Sequence, residues 1–301
     1  MKIVFMGTPD FSAVSLQRLY GDGHDIAGVF TQPDKPRDRG MKVSASPVKE
    51  LALEHGTPVF QPASLKNTEA ADVLRGLSCE LVTVVAYGKL LPREILDIPE
   101  YGCVNIHGSL LPEYRGAAPI QRAILNGEKE TGLTSIFMAE EMDAGDILYA
   151  VETPIHDDET AGALAARMSI LGAGLLSETV AAISSGKAVR RPQDHSRATF
   201  APPLGKELSP INWSETALAI KAKVRGLNPW PVATAVLNGV TFKVFTVEIN
   251  SDVSGKAPGE IVEAGNEGLK IACCDGSVII KELQPPGGRR MSAADYIRGH
   301  L

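Results

Sequence analysis

The chain has 301 residues, of which 44% are hydrophobic and 22% charged, and its formal net charge is −6 at pH 7. This composition supplies enough apolar side chains for a packed core, and it excludes a disordered or collagen-like chain. The length is typical of about two domains, and the acidic balance argues against unspecific coating of nucleic acid.

Neither export nor a membrane span is expected from the sequence. The amino-terminal segment reaches Gly7 too early for the apolar core of a secretory signal, and no uninterrupted apolar run of about 18 residues is found. The cysteines are Cys79, Cys103, Cys273 and Cys274. They form no C-x-x-C pair, which favours reduced thiols in a cytoplasmic protein.

The first part of the chain alternates short apolar runs with helical patterns. The runs predicted to be buried strands are 3–6, 26–31, 81–86 and 103–106. Between the first two runs, apolar side chains recur at helical spacing from Phe11 to Leu19. This alternation predicts an α/β fold, a Rossmann-like domain whose mostly parallel sheet is covered on both faces. The turn after the first run lacks G-x-G-x-x-G, so NAD binding is not expected.

The composition changes after residue 184. Segment 189–205 is rich in proline and charge and poor in core residues, which indicates a linker. We therefore predict a catalytic domain over 1–188, a linker over 189–205 and a second domain over 206–301. Residues 1–205 carry a formal net charge of −7 and residues 206–301 carry +1, so the second domain is nearly neutral.

The second domain is predicted to be a small antiparallel β-barrel of the OB-like type that follows one helix. The helix is predicted over 211–225. Five β-type runs come after it, at 233–237, 241–247, 259–262, 269–272 and 277–280. Asn238-Gly239 and Asp275-Gly276 separate neighbouring runs, and such dipeptides are typical of hairpin turns. Several short strands in fewer than 100 residues suit a barrel of this size.

Two polar side chains, Asn105 and His107, stand at the end of a predicted strand. Because side chains at i and i+2 project from one face of a strand, an amide and an imidazole can converge on one point. Such a pair suits the stabilisation of a tetrahedral oxyanion. A carboxylate would be needed to hold the imidazole in its charged form, and segment 141–146 offers Asp143 and Asp146.

Other interpretations of these residues remain open from spacing alone. A histidine at a strand end is often a hydrogen-bonded structural residue, and N-x-H is a weak pattern. No metal site is expected, because the six histidines show no H-x-x-x-H spacing. A nucleophilic Ser109 lacks the G-x-S-x-G elbow.

Several blocks of sequence together resemble the methionyl-tRNA formyltransferases of the folate-dependent formyltransferase family. The blocks are 5–11, 84–88, 102–112, 114–120, 142–148 and 228–231, and they span nearly the whole chain in family order. The resemblance implies a transferase that moves the formyl group of 10-formyltetrahydrofolate to the α-amino group of initiator Met-tRNA, for translation initiation. It identifies Asn105, His107 and Asp143 as the catalytic set, with Asp146 adjacent to the site.

The resemblance also implies where the two substrates bind. The folate-binding residues would be Ser109, Leu110, Leu111, Pro112, Val85 and Tyr87. From pattern alone, ordinary core packing is the favoured explanation of the two leucines. The Leu111-Pro112 bond can be cis in this fold class. The tRNA contacts would come from an insertion loop that carries Lys35, Arg37, Arg39 and Lys42, with Arg39 as the key arginine, and from the second domain.

This loop departs from the family pattern Pro-Ala-Gly-Arg-Gly, because the chain has Pro36-Arg37-Asp38-Arg39-Gly40. Without the resemblance, the stretch would be interpreted as a solvated charged loop. Two alternatives stay open for the whole chain. One is a formyltransferase acting on an amino-sugar nucleotide or on glycinamide ribonucleotide, and the other is a non-catalytic RNA-binding module. The sequence implies no metal, no membrane and no obligate protein partner.

Overall fold

The computed structural model describes residues 1–37, 42–66 and 68–300. They divide into two compact units. The first unit comprises Met1–Pro119, Gly132–Thr153 and Ala165–Ala201. The second comprises Ile120–Thr131, Pro154–Leu164 and Pro202–Leu301.

The strands up to residue 201 are short. They are β1 (Lys2–Gly7), β2 (Asp25–Phe30), β3 (Lys35–Arg37), β4 (Lys42–Ser44), β5 (Val59–Phe60), β6 (Leu81–Val85), β7 (Cys103–His107), β8 (Arg115–Gly116), β9 (Glu130–Phe137), β10 (Ile147–Pro154) and β11 (Phe200–Ala201). The helices in the same stretch are α1 (Asp10–Gly21), α2 (Pro47–Glu54), α3 (Thr68–Leu77), α4 (Arg93–Leu96), α5 (Pro119–Leu125) and α6 (Ala161–Ser184).

Seven strands of the first unit form one sheet in the order β10-β9-β7-β6-β1-β2-β5. The ladders β5–β2–β1–β6–β7 are parallel, and β9 pairs with β7 in the antiparallel sense. The central strands are continuous apolar runs whose side chains are buried, as strands covered on both faces must be. The predicted Rossmann-like α/β fold is thereby confirmed.

The second unit is built around antiparallel strands. Its later elements are α7 (Ala217–Gly226), β12 (Ala233–Leu237), β13 (Val240–Asn250), β14 (Ile261–Gly265), β15 (Gly268–Cys273), β16 (Gly276–Gln284), β17 (Met291–Ser292) and α8 (Ala293–His300). The strand order is β12-β13-β16-β15-β14, with β17 on β16. Both predicted hairpins form, each with a two-residue connection, and Asn238 and Gly239 adopt positive φ in the first. The antiparallel C-terminal β domain is thus confirmed.

The predicted helix over 211–225 is six residues too long at its start, since α7 begins at Ala217. The side chain of Thr216 accepts a hydrogen bond from Ala219 N and caps the helix there. Upstream, Ile211 N donates to Thr234 O. The apolar spacing of 211–216 reflects packing beside strand β12 and not a further helical turn.

Helix α6 bears on the expectation that no segment spans a membrane. Its 24 residues are long and apolar enough to cross one by length and composition alone. Half of its most apolar stretch is buried inside the protein. Core helices of globular domains satisfy the same criterion, so this is weak evidence for a membrane span.

Candidate active site

Strand β7 positions the first two site residues. It lies between β6 and β9, and Asn105 pairs with Val84 on one side and Ile136 on the other. His107 lies two residues on, opposite Thr134. His107 is 5% exposed, and Asn105 is half-buried. The period of the strand directs both side chains to one face of the sheet.

The imidazole of His107 is held between a carbonyl and a carboxylate. Its Nε2 lies 2.9 Å from Tyr114 O. Because a carbonyl only accepts, Nε2 must carry the proton. Its Nδ1 lies 3.5 Å from Asp143 Oδ1, a distance that suits an ion pair better than a short hydrogen bond. Nδ1 is therefore the ring nitrogen that can face both the carboxylate and a reacting oxygen, and it is a donor only in the imidazolium.

Asp143 is carried by the loop between β9 and β10. Its Oδ2 accepts a hydrogen bond of 2.8 Å from Gly116 N, and its side chain is 14% exposed. Its backbone has φ +53°, a conformation that few non-glycine residues adopt. Two residues on, a Cβ at Gly145 would lie 1.8 Å from Phe137 O. Only glycine lets the loop pass this close to the end of β9.

Three linked polar residues near the site, Arg115, Gln193 and His195, were not singled out by the sequence. Arg115 is 2% exposed, and its Nη2 donates to Gln193 Oε1 at 2.6 Å and to His195 Nδ1 at 3.1 Å. Gln193 is also buried, although it lies in the segment predicted to be a linker. Nothing in its local pattern marks it, because its partners are about 50–80 residues away in the chain.

The side-chain amide of Asn105 has no hydrogen-bond partner within the part of the chain that the structure describes. A half-buried amide beside a His–Asp pair can donate to a substrate oxygen at no cost to internal contacts. Asn105, His107 and Asp143 together therefore offer an amide donor, a chargeable imidazole and a carboxylate. This set can stabilise an oxyanion and accept a proton.

Comparison with known proteins decides the family. The family model described as "Formyl transferase" matches residues 1–180, and "Formyl transferase, C-terminal domain" matches residues 203–301. The chain belongs to the formyl transferase family. It is 47% identical over 301 residues to a protein named methionyl-tRNA formyltransferase from Acetivibrio thermocellus, covering 100% of this chain and 97% of that protein. A protein of the same name from Clostridioides difficile is 43% identical over 300 residues, with 100% and 97% coverage.

Solved structures share the fold of this formyl transferase. An N-formyltransferase from Helicobacter canadensis, in complex with folinic acid and dTDP-3-aminofucose, matches with a TM-score of 0.71 at 18% identity, covering 97% of this chain and 100% of that one. HypX from Aquifex aeolicus, in complex with tetrahydrofolic acid, matches with a TM-score of 0.64 at 20% identity, covering 99% of this chain and 47% of that one. At these identities the likeness concerns the fold alone.

The stretch expected to bind folate is fastened internally in this formyl transferase. Ser109 Oγ donates to Glu113 O, and Ser109 O accepts from Thr134 Oγ1 at 2.7 Å. The same threonine oxygen accepts from Leu111 N at 3.0 Å. The Leu111-Pro112 bond is cis. The stretch is thus a fixed loop directly after His107.

The two leucines of this stretch are buried to different extents. Leu110 packs closely on Gly132, where an added Cβ would lie 2.4 Å from Leu110 Cδ2. Leu111 is 8% exposed, whereas Leu110 and Pro112 are half-buried. Packing inside the protein therefore explains part of the apolar character of the two leucines, as expected from the sequence.

Val85 and Tyr87 lie at the end of β6, but their side chains are inside the core at 0% and 1% exposure. Burial raises the pKa of Tyr87 to about 12, and its hydroxyl has no hydrogen-bond partner among the residues that the structure describes. Ala86 between them has φ +44°. If these residues touch folate, they do so through the backbone of this turn and not through their side chains.

Lys35, Arg37 and Lys42, which are expected to contact tRNA, lie in a short two-stranded ribbon. Strands β3 and β4 pair in the antiparallel sense, with Lys35 opposite Ser44 and Arg37 opposite Lys42. Arg39 lies outside the described residues. Within the described ranges, no group of three or more His, Cys, Asp or Glu side chains is placed to hold a metal ion.

Proposed function

We propose that this formyl transferase moves the formyl group of 10-formyltetrahydrofolate to the α-amino group of the methionyl residue on initiator Met-tRNA. The observation that carries the proposal is the full-length similarity to proteins named methionyl-tRNA formyltransferase, together with the arrangement of Asn105, His107 and Asp143. A protein that acts on charged tRNA is expected in the cytoplasm.

Attack begins at the formyl carbon. The neutral amine nitrogen of the methionyl residue forms a bond to this carbon, and the carbonyl π pair moves to oxygen. The amide of Asn105 and the Nδ1–H of a charged His107 donate to the resulting oxyanion, while the Asp143 carboxylate stabilises the imidazolium. These donors are fixed before reaction, because β7 holds the first two residues and Gly116 N holds Asp143.

Collapse of the tetrahedral intermediate completes the transfer. The attacking nitrogen loses a proton, and Asp143 accepts it directly or through water. The oxyanion re-forms the carbonyl as the bond from carbon to N10 of the folate breaks. N10 leaves with the bonding pair and takes up a proton, so that tetrahydrofolate and formyl-Met-tRNA are the products.

The folate would lie beside the stretch Ser109–Pro112. A pterin has an apolar ring with an amide-like edge, which suits a fixed loop that offers backbone groups next to leucine side chains. The backbone turn at Ala86 would supply further contacts. The tRNA would be held through the basic residues Lys35, Arg37, Arg39 and Lys42, whose cations suit phosphate oxygens, and through the second unit.

The test is transfer of labelled formyl from 10-formyltetrahydrofolate to charged initiator Met-tRNA by the purified protein. Uncharged tRNA, an amino-sugar nucleotide and glycinamide ribonucleotide are the other acceptors. Formylation of Met-tRNA alone supports the proposal. Preference for a small-molecule amine would replace it by the sugar or ribonucleotide alternative, and binding of tRNA without any transfer would indicate a non-catalytic module.

A further inference from the structure

Gln193 binds two backbone carbonyls of the loop that carries Asp143. Its Nε2 donates to Asp143 O at 2.8 Å and to Gly145 O at 2.7 Å. Both hydrogens of the amide are thereby used. The side chain is 6% exposed, so water does not compete for these two hydrogen bonds. The contact fixes the backbone on either side of Ala144.

The orientation of this amide is dictated by its third partner. Gln193 Oε1 accepts a 2.6 Å hydrogen bond from Arg115 Nη2. A guanidinium only donates and a carbonyl only accepts, so the amide oxygen must face Arg115 and the nitrogen must face the loop. Arg115 is itself buried. Its Nη1 lies 3.7 Å from Glu141 Oε1, on a side chain that is 73% exposed.

These contacts and one peptide bond form a closed ring of residues that includes Asp143. Its carboxylate accepts from Gly116 N, and its carbonyl accepts from Gln193. Gln193 is bound to Arg115, which is joined to Gly116 by a peptide bond. Asp143 is thus held at both its side chain and its backbone, and a non-glycine residue at φ +53° needs such support because its own conformational preference opposes this backbone geometry.

We infer that Gln193 is a positioning residue for the transfer reaction: it holds the β9–β10 loop so that the carboxylate of Asp143 stays directed at Nδ1 of His107. It touches neither substrate in this role and acts through Asp143. A displacement of about 1 Å in a catalytic group can cost about 100-fold in rate, so loss of this hold should be visible in kcat.

A double-mutant cycle separates positioning from general stabilisation. The variants are Gln193→Leu, Asp143→Asn and the pair, with Gln17→Leu on the exposed face of α1 as the matched control. We expect Gln193→Leu to lower kcat by about 10–100-fold, with KM for either substrate changed less than about threefold. In the Asp143→Asn background the same change should cost less than about threefold, because the group it positions is gone. An equal loss of kcat in both backgrounds would overturn the inference.

Gln193→Glu is the second variant, for the case that the leucine variant fails to fold. An ionised carboxylate keeps an acceptor for Arg115 but cannot donate to the two loop carbonyls. We expect kcat to fall as with leucine. Wild-type kcat in this variant would show that the hydrogen bonds to the loop are dispensable, against the inference.

A further readout does not depend on activity. Gly116 N–H is protected from exchange by Asp143 Oδ2, so Gln193→Leu or Gln193→Glu should speed its hydrogen exchange by about tenfold or more while the amides of α1 keep their rates. Unchanged protection would refute the inference. The kinetic cycle rests on the proposed function: if the wild type does not formylate Met-tRNA, that proposal fails, whereas the exchange experiment still decides the role of Gln193.

Discussion

Replacing Asp143 by asparagine tests the charge on this residue separately from its shape. The isosteric amide can still accept the hydrogen bond from Gly116 N through its oxygen. Its NH₂ group would then face Nδ1 of His107, and a donor at this place favours the neutral imidazole, because Nε2 already carries its proton toward Tyr114 O. The change therefore removes the carboxylate that would stabilise an imidazolium in the proposed transition state.

The size of the effect follows from the geometry. Two unit charges separated by the 3.5 Å between Nδ1 and Oδ1 attract by about 5 kcal/mol at an effective dielectric constant of about 20. Both side chains are largely buried, at 6% and 14% exposure, so most of this attraction should persist. A loss of about 3–4 kcal/mol in the transition state corresponds to a fall in kcat of about 10²–10³.

The assay is steady-state transfer of labelled formyl to Met-tRNA, with KM determined for both substrates. We expect kcat to fall as stated and both KM values to change less than about threefold, because the lost interaction forms fully only in the transition state. Asp146→Asn is the matched control, since Asp146 binds the loop through its carbonyl, which accepts from Phe137 N. A kcat for Asp143→Asn within threefold of wild type, or an equal loss in Asp146→Asn, would refute the reasoning.

Three further predictions concern other parts of the site. Asn105→Ala should lower kcat by about 10²–10³ with little change in Tm or in the Kd for folate, because the amide has no partner among the described residues; near-wild-type turnover would remove it from the mechanism. Gly145→Ala should lower both kcat and Tm, since the added Cβ would lie 1.8 Å from Phe137 O; an unaltered melting curve would contradict this contact. Arg39→Ala, chosen on sequence resemblance, should raise KM for Met-tRNA and spare KM for folate, and an equal KM for tRNA would reject the contact.

The position of the His–Asn pair could be predicted because it depends on local pattern. A β-branched and apolar run predicted strand β7, and the period of a strand put Asn105 and His107 on one face. The choice between Asp143 and Asp146 was different, since both lie in one glycine-containing loop and spacing alone left either possible. The resemblance favoured Asp143, and the structure brings its carboxylate to His107. The positive φ of Asp143 that makes this possible cannot be predicted from the sequence pattern.

Gln193 could not be predicted because its environment is made by distant parts of the chain. Its neighbours Arg191, Pro192 and Asp194 give the segment the composition of a linker, and three of the four flanking side chains at 191–195 are charged or break regular structure. Its burial arises from Arg115 and from the loop after β9. For the same reason the start of α7 was misplaced: apolar spacing continues before Thr216, but contact with β12 occupies the backbone there.

The ring around Asp143 bears on when the site can form during synthesis and on which fragments of this enzyme can retain it. All three side chains of the proposed catalytic set have been synthesised once the ribosome passes residue 143, yet the loop lacks its contact with Gln193 until residue 193 has emerged and folded back. A fragment cut at residue 188, where composition suggests that a domain ends, would contain the whole proposed catalytic set but would lack the hydrogen bonds from Gln193 to the loop of Asp143. Engineered fragments or fusions of this domain should therefore extend through Ala201, where the first unit ends.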